Sequence, residues 1–196
     1  MASNGQMNPD SQYSYVALFL SDANTDGSVT RIDLTQTKTP YNHATEPGIK
    51  AGELAGAPPL IHSRGILSFN TYLSGATVLT AELRLKQATS DDNFALLQPC
   101  KVDIQPGAFS GNTSLVGADY DSQDATTKLN AFQITGVGPN AWFDRDLSSL
   151  SSSVNTLGYI QFRIYFTEAF TAGKYIAWYS GDDPNNKPQL IVRYQP

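Results

Sequence analysis

Apolar and polar residues alternate along much of the chain, with the period of two that is typical of β-strands. The stretch "TAELRLKQ" shows this best, because every second residue from Ala81 to Leu85 is apolar and the residues between them, from Glu82 to Lys86, are charged. Successive side chains of a strand point to opposite faces. We therefore predict a strand here with one buried face and one face in solvent.

The stretch "YIQFRIYF" repeats the pattern. We predict that the apolar set from Ile160 to Phe166 faces the core and that the residues between them, including Gln161 and Arg163, face solvent. Six further stretches read as strands, separated by segments rich in Gly, Pro, Asn, Asp and Ser: "YVALFL", "RGILSFN", "KVDI", "NAFQIT", "YIAWYS" and "QLIVRY". In "YIAWYS", Trp178 falls on the inward face and Tyr179 on the outward face.

About eight strands predict an all-β fold, an antiparallel two-sheet β-sandwich of the jelly-roll type. At most one short helix is expected, in "DRDLSSLSSSVN", where Asp144 or Asp146 would cap it. The length of 196 residues favours one domain. We assign residues 1–12, "MASNGQMNPDSQ", to a polar leader and residues 13–196 to the single β-sandwich domain.

Charge and cysteine content exclude several classes of protein. The chain has 13 Lys and Arg against 18 Asp and Glu, a formal charge of −5, so neither nucleic acid nor an anionic membrane is an expected partner. No stretch approaches the ~20 apolar residues of a membrane-spanning helix. The single cysteine, Cys100, excludes an internal disulfide and a Cys-based zinc cluster, and we predict that it is a buried apolar residue.

From about residue 64 to the end, four stretches occur in a characteristic order: "RGILSFNTYLSGATVLTAELRLK", "KVDIQPGAF", "LGYIQFRIYF" and "WYSGDDPNNKPQLIVRY". In order and spacing they resemble the DNRLRE domains, grouped as carbohydrate-binding module family 96. The resemblance implies an extracellular or cell-surface β-sandwich, attached to microbial surface proteins or secreted polysaccharide-degrading enzymes. It also implies non-catalytic binding of a polysaccharide, with an acidic uronate polymer such as alginate as the expected ligand. An isolated binding module is expected to be monomeric. Residues 13–63 match this pattern poorly.

Relatives that bind alginate use a basic groove with a tyrosine, and Arg side chains form paired hydrogen bonds with carboxylates. The resemblance therefore implies a ligand site made of Arg31, Lys38, Lys50, Arg64 and Tyr179. The alternative is that these are scattered surface charges that keep the protein soluble. The family pattern also places an acid at Asp182, for which a structural ion pair with Arg163 is expected. Trp142 could belong either to the core or to a site.

Two other classes of function compete with a binding module. A jelly-roll polysaccharide lyase would need a Tyr and a His beside an Arg and a Gln, but only "AELRLK" resembles its motifs, and His43 and His62 lie in segments that read as loops. We name no catalytic residue and expect no enzyme. A structural surface or filament subunit would assemble through strand exchange or edge pairing, for which "QYSYVALFL" is suitable. Such a subunit would be polymeric.

The stretch "SDANTDGSVTRID" has the oxygen spacing of a calcium loop, with Asp22, Asn24, Asp26 and Asp33 as the candidate ligands and Gly27 at the turn. EF-hand and dockerin loops lead into helices, whereas a strand precedes this loop and Pro40 follows it, so we expect a calcium loop between strands. The alternative is an Asx-rich turn, in which the side chains bond their own backbone without a metal. Calcium is thus a candidate structural cofactor.

Overall fold

The structure, a computed structural model, describes residues 13–32, 35–41, 48–54, 60–90, 99–167 and 174–196. Within these ranges the chain forms twelve β-strands: β1 Tyr15–Leu20, β2 Gly27–Ile32, β3 Lys38–Tyr41, β4 Ile49–Glu53, β5 Ile61–Asn70, β6 Thr77–Ser90, β7 Cys100–Pro106, β8 Lys128–Ile134, β9 Trp142–Asp146, β10 Tyr159–Tyr165, β11 Tyr175–Trp178 and β12 Gln189–Gln195. The same ranges contain two short 3-10 turns, Gly117–Tyr120 and Ser148–Ser153.

All pairs among the described strands are antiparallel, so the all-β antiparallel prediction is confirmed. The prediction of eight strands is too low. Each of the eight predicted stretches forms a strand, but β2, β3, β4 and β9 were missed. These four are short, and sequences such as "KTPY" in β3 and "IKAGE" in β4 lack a clear alternation of apolar and polar residues.

The described strands are also joined into one hydrogen-bonded sheet rather than two separate ones, in the order β1-β12-β6-β11-β4-β5-β10-β7-β8, with β2, β3 and β9 attached at the sides. Strand β6 makes the connection possible because it is 14 residues long. Its first part pairs with β12 and its last part with β11. The four-residue pairing of β11 with β4 then carries the sheet on to β5.

The main hydrophobic core draws side chains from both parts of this sheet. Leu83 and Leu85 of β6 belong to the same buried cluster as Phe69 of β5 and Phe162 of β10. The rings of Phe69 and Phe162 meet edge to face, with their centroids 5.8 Å apart. Trp178 is 1% exposed within this core, as predicted. Cys100 is also buried, as predicted, and burial raises the pKa of its thiol.

One prediction about strand faces is wrong. Gln161 and Arg163, expected in solvent, are 0% and 2% exposed. The connection from β7 to β8, residues 107–127, covers this second face of the sheet, and we call it the strap. The backbone N–H of Phe109 donates to Gln161 Oε1 at 2.9 Å, and Phe109 belongs to a second buried cluster that also includes Tyr120. The alternation of apolar and polar residues within one strand cannot show that a loop distant in sequence covers its second face.

The ion pair of Arg163 also has a different partner from the one predicted. Arg163 Nε and Nη2 donate to Asp103 Oδ2 at 3.1 and 2.6 Å, across the β10–β7 pair in which the two residues are direct neighbours. Its Nη1 donates to two backbone carbonyls of the strap. Asp182 instead follows β11 and accepts a hydrogen bond from Ser180 Oγ. Arg163 thus ties the strap to the sheet.

The predicted short helix is a 3-10 turn, Ser148–Ser153, and the described ranges contain no α-helix. Asp146 does bind its start, because Asp146 Oδ1 accepts from the N–H and the hydroxyl of Ser148 at 2.8 and 2.5 Å. Among the described residues, no helix has the length and apolar character needed to cross a membrane.

Candidate functional site

Three of the five predicted ligand residues converge on the ring of Tyr120. Arg31 and Lys38 are direct neighbours across β2 and β3, and Arg64 lies on β5 on the other side of β2. The guanidinium carbons of Arg64 and Arg31 are 4.1 and 5.2 Å from the centroid of the Tyr120 ring, and Lys38 Nζ is 5.9 Å away. We call these four residues, with Asp121, the Tyr120 cluster.

The cluster carries three positive groups and one carboxylate. Asp121 forms ion pairs with Lys38 Nζ at 2.5 Å and Arg64 Nη1 at 3.1 Å. Partial burial by itself would raise the pKa of Asp121, but the hydrogen bond from Lys38 and the charges of Arg64, Lys38 and Arg31 outweigh it and lower that pKa. Asp121 therefore stays ionised and offsets part of the positive charge.

Tyr120 itself is 3% exposed, so its ring has no free face for a ligand. Burial raises the pKa of its hydroxyl. Arg64 Nη1 also donates to the backbone carbonyl of Tyr120, and its guanidinium lies 5.0 Å from the Tyr165 ring centroid. The cations of the cluster thus fasten the strap onto the sheet. Side-chain exposures of 33% for Lys38 and 22% for Arg64 leave parts of both open to solvent.

The two remaining predicted residues lie elsewhere. Lys50 is on β4, and its Nζ is 5.9 Å from the Tyr175 ring centroid. Tyr179 follows β11, and its hydroxyl donates to Asn140 Oδ1 at 2.9 Å. The structure therefore divides the predicted site. Arg31, Lys38 and Arg64 lie together, whereas Lys50 and Tyr179 lie elsewhere. Tyr179 is next to residues that the prediction did not include.

The surroundings of Tyr179 form a second polar and aromatic surface, on the outward face of β6. Lys86 is the direct neighbour of Trp142 on β9. Lys86 Nζ is 5.9 Å from the Trp142 ring and 5.8 Å from the Tyr179 ring, so it lies near both. Both rings are half-buried. We call this surface the Trp142 patch and define it as Arg84, Lys86, Asn140, Trp142, Tyr179 and Asn186.

The two cations of the Trp142 patch differ in their partners. Arg84 Nε donates to Asp144 Oδ1 at 2.8 Å and is 3.8 Å from Glu82 Oε1. The hydrogen bond to Asp144 raises the pKa of Arg84. Lys86 Nζ donates to the amide oxygen of Asn186 at 2.7 Å. Because an amide is uncharged, this bond orients the Lys86 ammonium without neutralising it.

A buried glutamine supports the turn that carries Asn140 and leads to Trp142. Gln87 is 0% exposed, and its Oε1 accepts from the backbone N–H groups of Val137 and Gly138 at 2.9 and 3.1 Å. Its backbone also bonds to Asn140 and Ala141. Gln87 breaks the apolar series on the inward face of β6. That polar residue in an apolar position is a signal that the side chain of Gln87 has hydrogen-bond partners, although it does not show which residues they are.

The predicted calcium loop is described over Asp22, Asn24 and Asp26, while Asp33 lies outside the described residues. Asp22 Oδ1 accepts from the Asn24 N–H at 3.0 Å, which is the Asx-turn geometry of the alternative interpretation. Asp26 is 0% exposed, and its Oδ2 accepts from the Ser21 hydroxyl and the Gly181 N–H. Gly181 packs so closely on this loop that a Cβ there would lie 2.5 Å from a backbone oxygen of Ser21.

Burial raises the pKa of Asp26 to about 6, and the neighbouring carboxylates of Asp182 and Asp22 contribute in the same direction. Asp26 Oδ1 is buried and makes no hydrogen bond. Such an oxygen suits a metal ion, but in the described part of the chain no three His, Cys, Asp or Glu side chains are grouped to hold one. Calcium binding at this loop stays a prediction.

One of the two histidines, His62, differs in placement from the sequence interpretation. His62 lies in β5 rather than in a loop, as the direct neighbour of Arg31 on β2 and of Glu53 on β4. His43 lies outside the described residues.

No protein-family model matches the chain, and no curated protein is significantly similar to it in sequence. The resemblance to DNRLRE domains therefore stays a prediction based on the motifs quoted above.

Proposed function

We propose that the chain is a non-catalytic, extracellular polysaccharide-binding module for an acidic polymer, and that the Trp142 patch makes the main contact. The observation that carries this proposal is the position of Lys86, within 6 Å of the centroids of two half-buried aromatic rings and bonded to a neutral amide. This combination matches the chemistry of a uronate chain, in which flat apolar faces of pyranose rings alternate with carboxylates and hydroxyls.

Each component of the patch has a role in this proposal. Trp142 and Tyr179 present ring surface on which a sugar can stack. Lys86 and Arg84 supply charge-assisted hydrogen bonds to carboxylates. Asn140 and Asn186 supply amide groups that can bond hydroxyls. In the Tyr120 cluster, by contrast, the exposed ends of Lys38 and Arg64 would offer a secondary contact for negative charge.

The architecture also supports the proposal. A core shared by β6 and β12 on one side and β5, β7 and β10 on the other is the arrangement of a sheet folded over itself. We interpret it as the predicted jelly-roll-like sandwich, with the two layers joined through β11 and β4. The Trp142 patch then lies on the outer face of one layer, where a long polymer could reach it.

The test measures binding to alginate, a polygalacturonate and a neutral glucan by affinity electrophoresis and calorimetry, at low and high salt. Trp142→Ala and Lys86→Ala should each weaken binding to the acidic polymers about tenfold or more, the equivalent of one lost stacking or charged contact. Binding should weaken as salt rises because ionic attraction is screened. Tyr72→Ala and Lys128→Ala are matched controls, since both residues are exposed outside the patch. Equal effects of patch and control variants would refute the proposal.

A second candidate function is the structural subunit predicted from "QYSYVALFL". The observation that favours it is β1, which has the composition of an unprotected edge strand. A subunit of this kind would form polymers at micromolar concentration, and electron microscopy of the purified chain would show them. Discrete particles would favour the binding module.

A further inference from the structure

Four of the described strands pair along one edge only, namely β1, β3, β8 and β9. An exposed edge offers unpaired backbone groups to another strand, and proteins normally block it with charges, prolines or bulges. Comparing these four edges therefore shows where the fold permits a further strand to be added.

Three of the edges carry such protection. Strand β3 has Lys38 and Pro40, and β9 has three consecutive charged residues, 144–146. Strand β8 begins with Lys128, and its pairing with β7 is irregular near Asn130, which has a φ of 48°. Strand β1, "YVALFL", contains no charge, no proline and no glycine, and its pairing with β12 is regular over all six residues.

The side chains of β1 are also unusually open. Val16, Leu18 and Leu20 are 69%, 56% and 49% exposed, and all three point to the same face of the strand. On the neighbouring strand β12, Ile191 is the direct partner of Leu18 and lies on this face as well. The edge strand thus presents a continuous apolar stripe to solvent, the kind of surface that marks an interaction site.

The hydrogen bonds of β1 show which backbone groups are available. The Ser21 N–H donates to the Pro188 carbonyl next to the β1–β12 pairing. Because backbone direction alternates along an antiparallel strand, the odd-numbered residues of β1 turn their N–H and C=O groups to β12. The even-numbered residues, Val16, Leu18 and Leu20, turn theirs away from β12. The same three residues therefore offer both the outward backbone groups and the exposed apolar side chains.

We propose that β1 is a self-association surface, on which two copies of the chain pair antiparallel about a twofold axis at Leu18. In this register Leu18 faces Leu18 of the second copy, and Val16 faces Leu20. Each facing pair is then a hydrogen-bonded pair of the antiparallel ladder, with its side chains close enough to pack against each other. The interface is self-complementary, as a twofold contact requires.

A second copy fits this edge better than the chain's own leader. Residues 1–12, "MASNGQMNPDSQ", are mostly polar and include Gly5 and Pro9, residue types that weaken a strand or remove its ladder hydrogen bonds. Strand β1 of another copy has the right length, composition and register. The inference does not depend on polysaccharide binding, although a dimer would bring two Trp142 patches to one polymer and raise its apparent affinity.

The experiment measures the mass of the full chain by sedimentation equilibrium and light scattering from 1 to 500 µM. The wild type should show a reversible monomer–dimer equilibrium. Leu18→Lys places two like charges opposite each other and should raise the dissociation constant about tenfold or more. Leu129→Lys is the matched control, because Leu129 is 53% exposed on another edge strand, β8, and this variant should dimerise as the wild type does. Circular dichroism checks that both variants are folded.

A covalent test fixes the register. Leu18→Cys should form a disulfide-linked dimer under mild oxidation, since facing residues in the ladder are within disulfide range, whereas Leu129→Cys should remain largely monomeric. The native Cys100 is buried and does not interfere. A wild type that stays monomeric at 500 µM, or a dimer that is as stable in Leu18→Lys as in the wild type, would overturn the proposal.

Discussion

The Tyr120 cluster and the Trp142 patch both place cations next to aromatic rings, but the rings differ in exposure. In both, cationic side chains lie within 6 Å of aromatic ring centroids. In the cluster the ring belongs to the strap and is buried against the sheet, and an ionised Asp121 offsets part of the positive charge. In the patch both rings are half-buried on an open face of β6, and Lys86 is bonded to a neutral amide. The buried ring of Tyr120 therefore makes a packing contact, whereas the partly exposed rings of Trp142 and Tyr179 form a candidate binding surface.

Packing of the strap on the sheet is the physical cause of this difference. Removing Arg163, which ties the strap to the sheet, should therefore have the largest effect on stability. Arg163→Ala leaves the buried carboxylate of Asp103 without its cationic partner, which should lower the free energy of unfolding by about 3 to 5 kcal/mol. Denaturant titration measures this change. Asp182→Ala is the control, since Asp182 lies in a turn away from Arg163 and should cost far less. Equal losses in the two variants would show that Arg163 does not tie the strap to the sheet.

The two aromatic rings should respond in opposite ways. Tyr120→Ala removes a buried ring and should cost about 3 kcal/mol of stability, as large-to-small substitutions in a core do. Trp142→Ala should cost about 1 kcal/mol or less, because the ring is half-buried, but should weaken binding to an acidic polysaccharide. Thermal melting and calorimetry on the same samples separate the effects. If Tyr120→Ala abolished binding while Trp142→Ala left it intact, the roles of the two regions would be reversed.

Asp26 belongs to neither region. Its titration tests whether the stability of the fold can change while the affinity for a polysaccharide stays the same. The pKa of Asp26 in the folded chain is about 6, against 3.8 for an ordinary Asp, so the folded state binds the proton more tightly than the unfolded state. The contribution of this group is therefore favourable at low pH and is lost as pH rises from about 4 to 6, by up to about 3 kcal/mol.

Asp26→Asn should remove this dependence and raise stability at pH 7, while the Asn oxygen still accepts from the Gly181 N–H. Urea unfolding at a series of pH values measures the effect, and binding at the Trp142 patch should be unchanged. If the free energy of unfolding changed with pH between 4 and 6 in the same way in the wild type and in Asp26→Asn, the assignment of this titration to Asp26 would be wrong.

The support of the patch by Gln87 predicts a smaller effect. Gln87→Ala removes the acceptor of two backbone hydrogen bonds and should cost about 1 to 3 kcal/mol. Because the Val137–Asn140 turn loosens, the affinity for an acidic polysaccharide should fall as well. Thr71→Ala also removes a hydrogen-bonding side chain at a buried position, away from the patch, and should reduce stability without reducing affinity.

The smallest expected effect is that of calcium on the loop that contains Asp26. If the loop binds calcium with the weak affinity of extracellular modules, ~10⁻⁴ to 10⁻³ M, then 5 mM calcium should add about 1 to 2 kcal/mol of stability. The shift in melting temperature relative to EDTA measures it, with magnesium as the ionic-strength control. Asp26→Ala should not respond. A melting temperature of the native chain that ignores calcium would leave the loop as an Asx turn.

The strands with strong alternation were predictable, and those without it were not. Ala81, Leu83 and Leu85 are buried as their spacing predicts, because β6 has a true core face and a true solvent face. Strand β4, "IKAGE", has no such alternation, and its glycine adopts a φ of 122°, which the sequence does not show. Of the predicted ligand site, Arg31, Lys38 and Arg64 do meet, but around a ring that the prediction did not include.

Local periodicity by itself determined the antiparallel β character, the positions of eight strands and the inward side of Trp178, because these depend on residues two apart along one strand. Tertiary structure alone decided that Arg163 pairs with Asp103, that Tyr120 of the strap is buried against the sheet, and that Lys86, Trp142 and Tyr179 share a surface. Each of these contacts joins segments that are distant in sequence. Their meeting depends on strand order and on the path of a loop, for which an alternation of apolar and polar residues carries no signal.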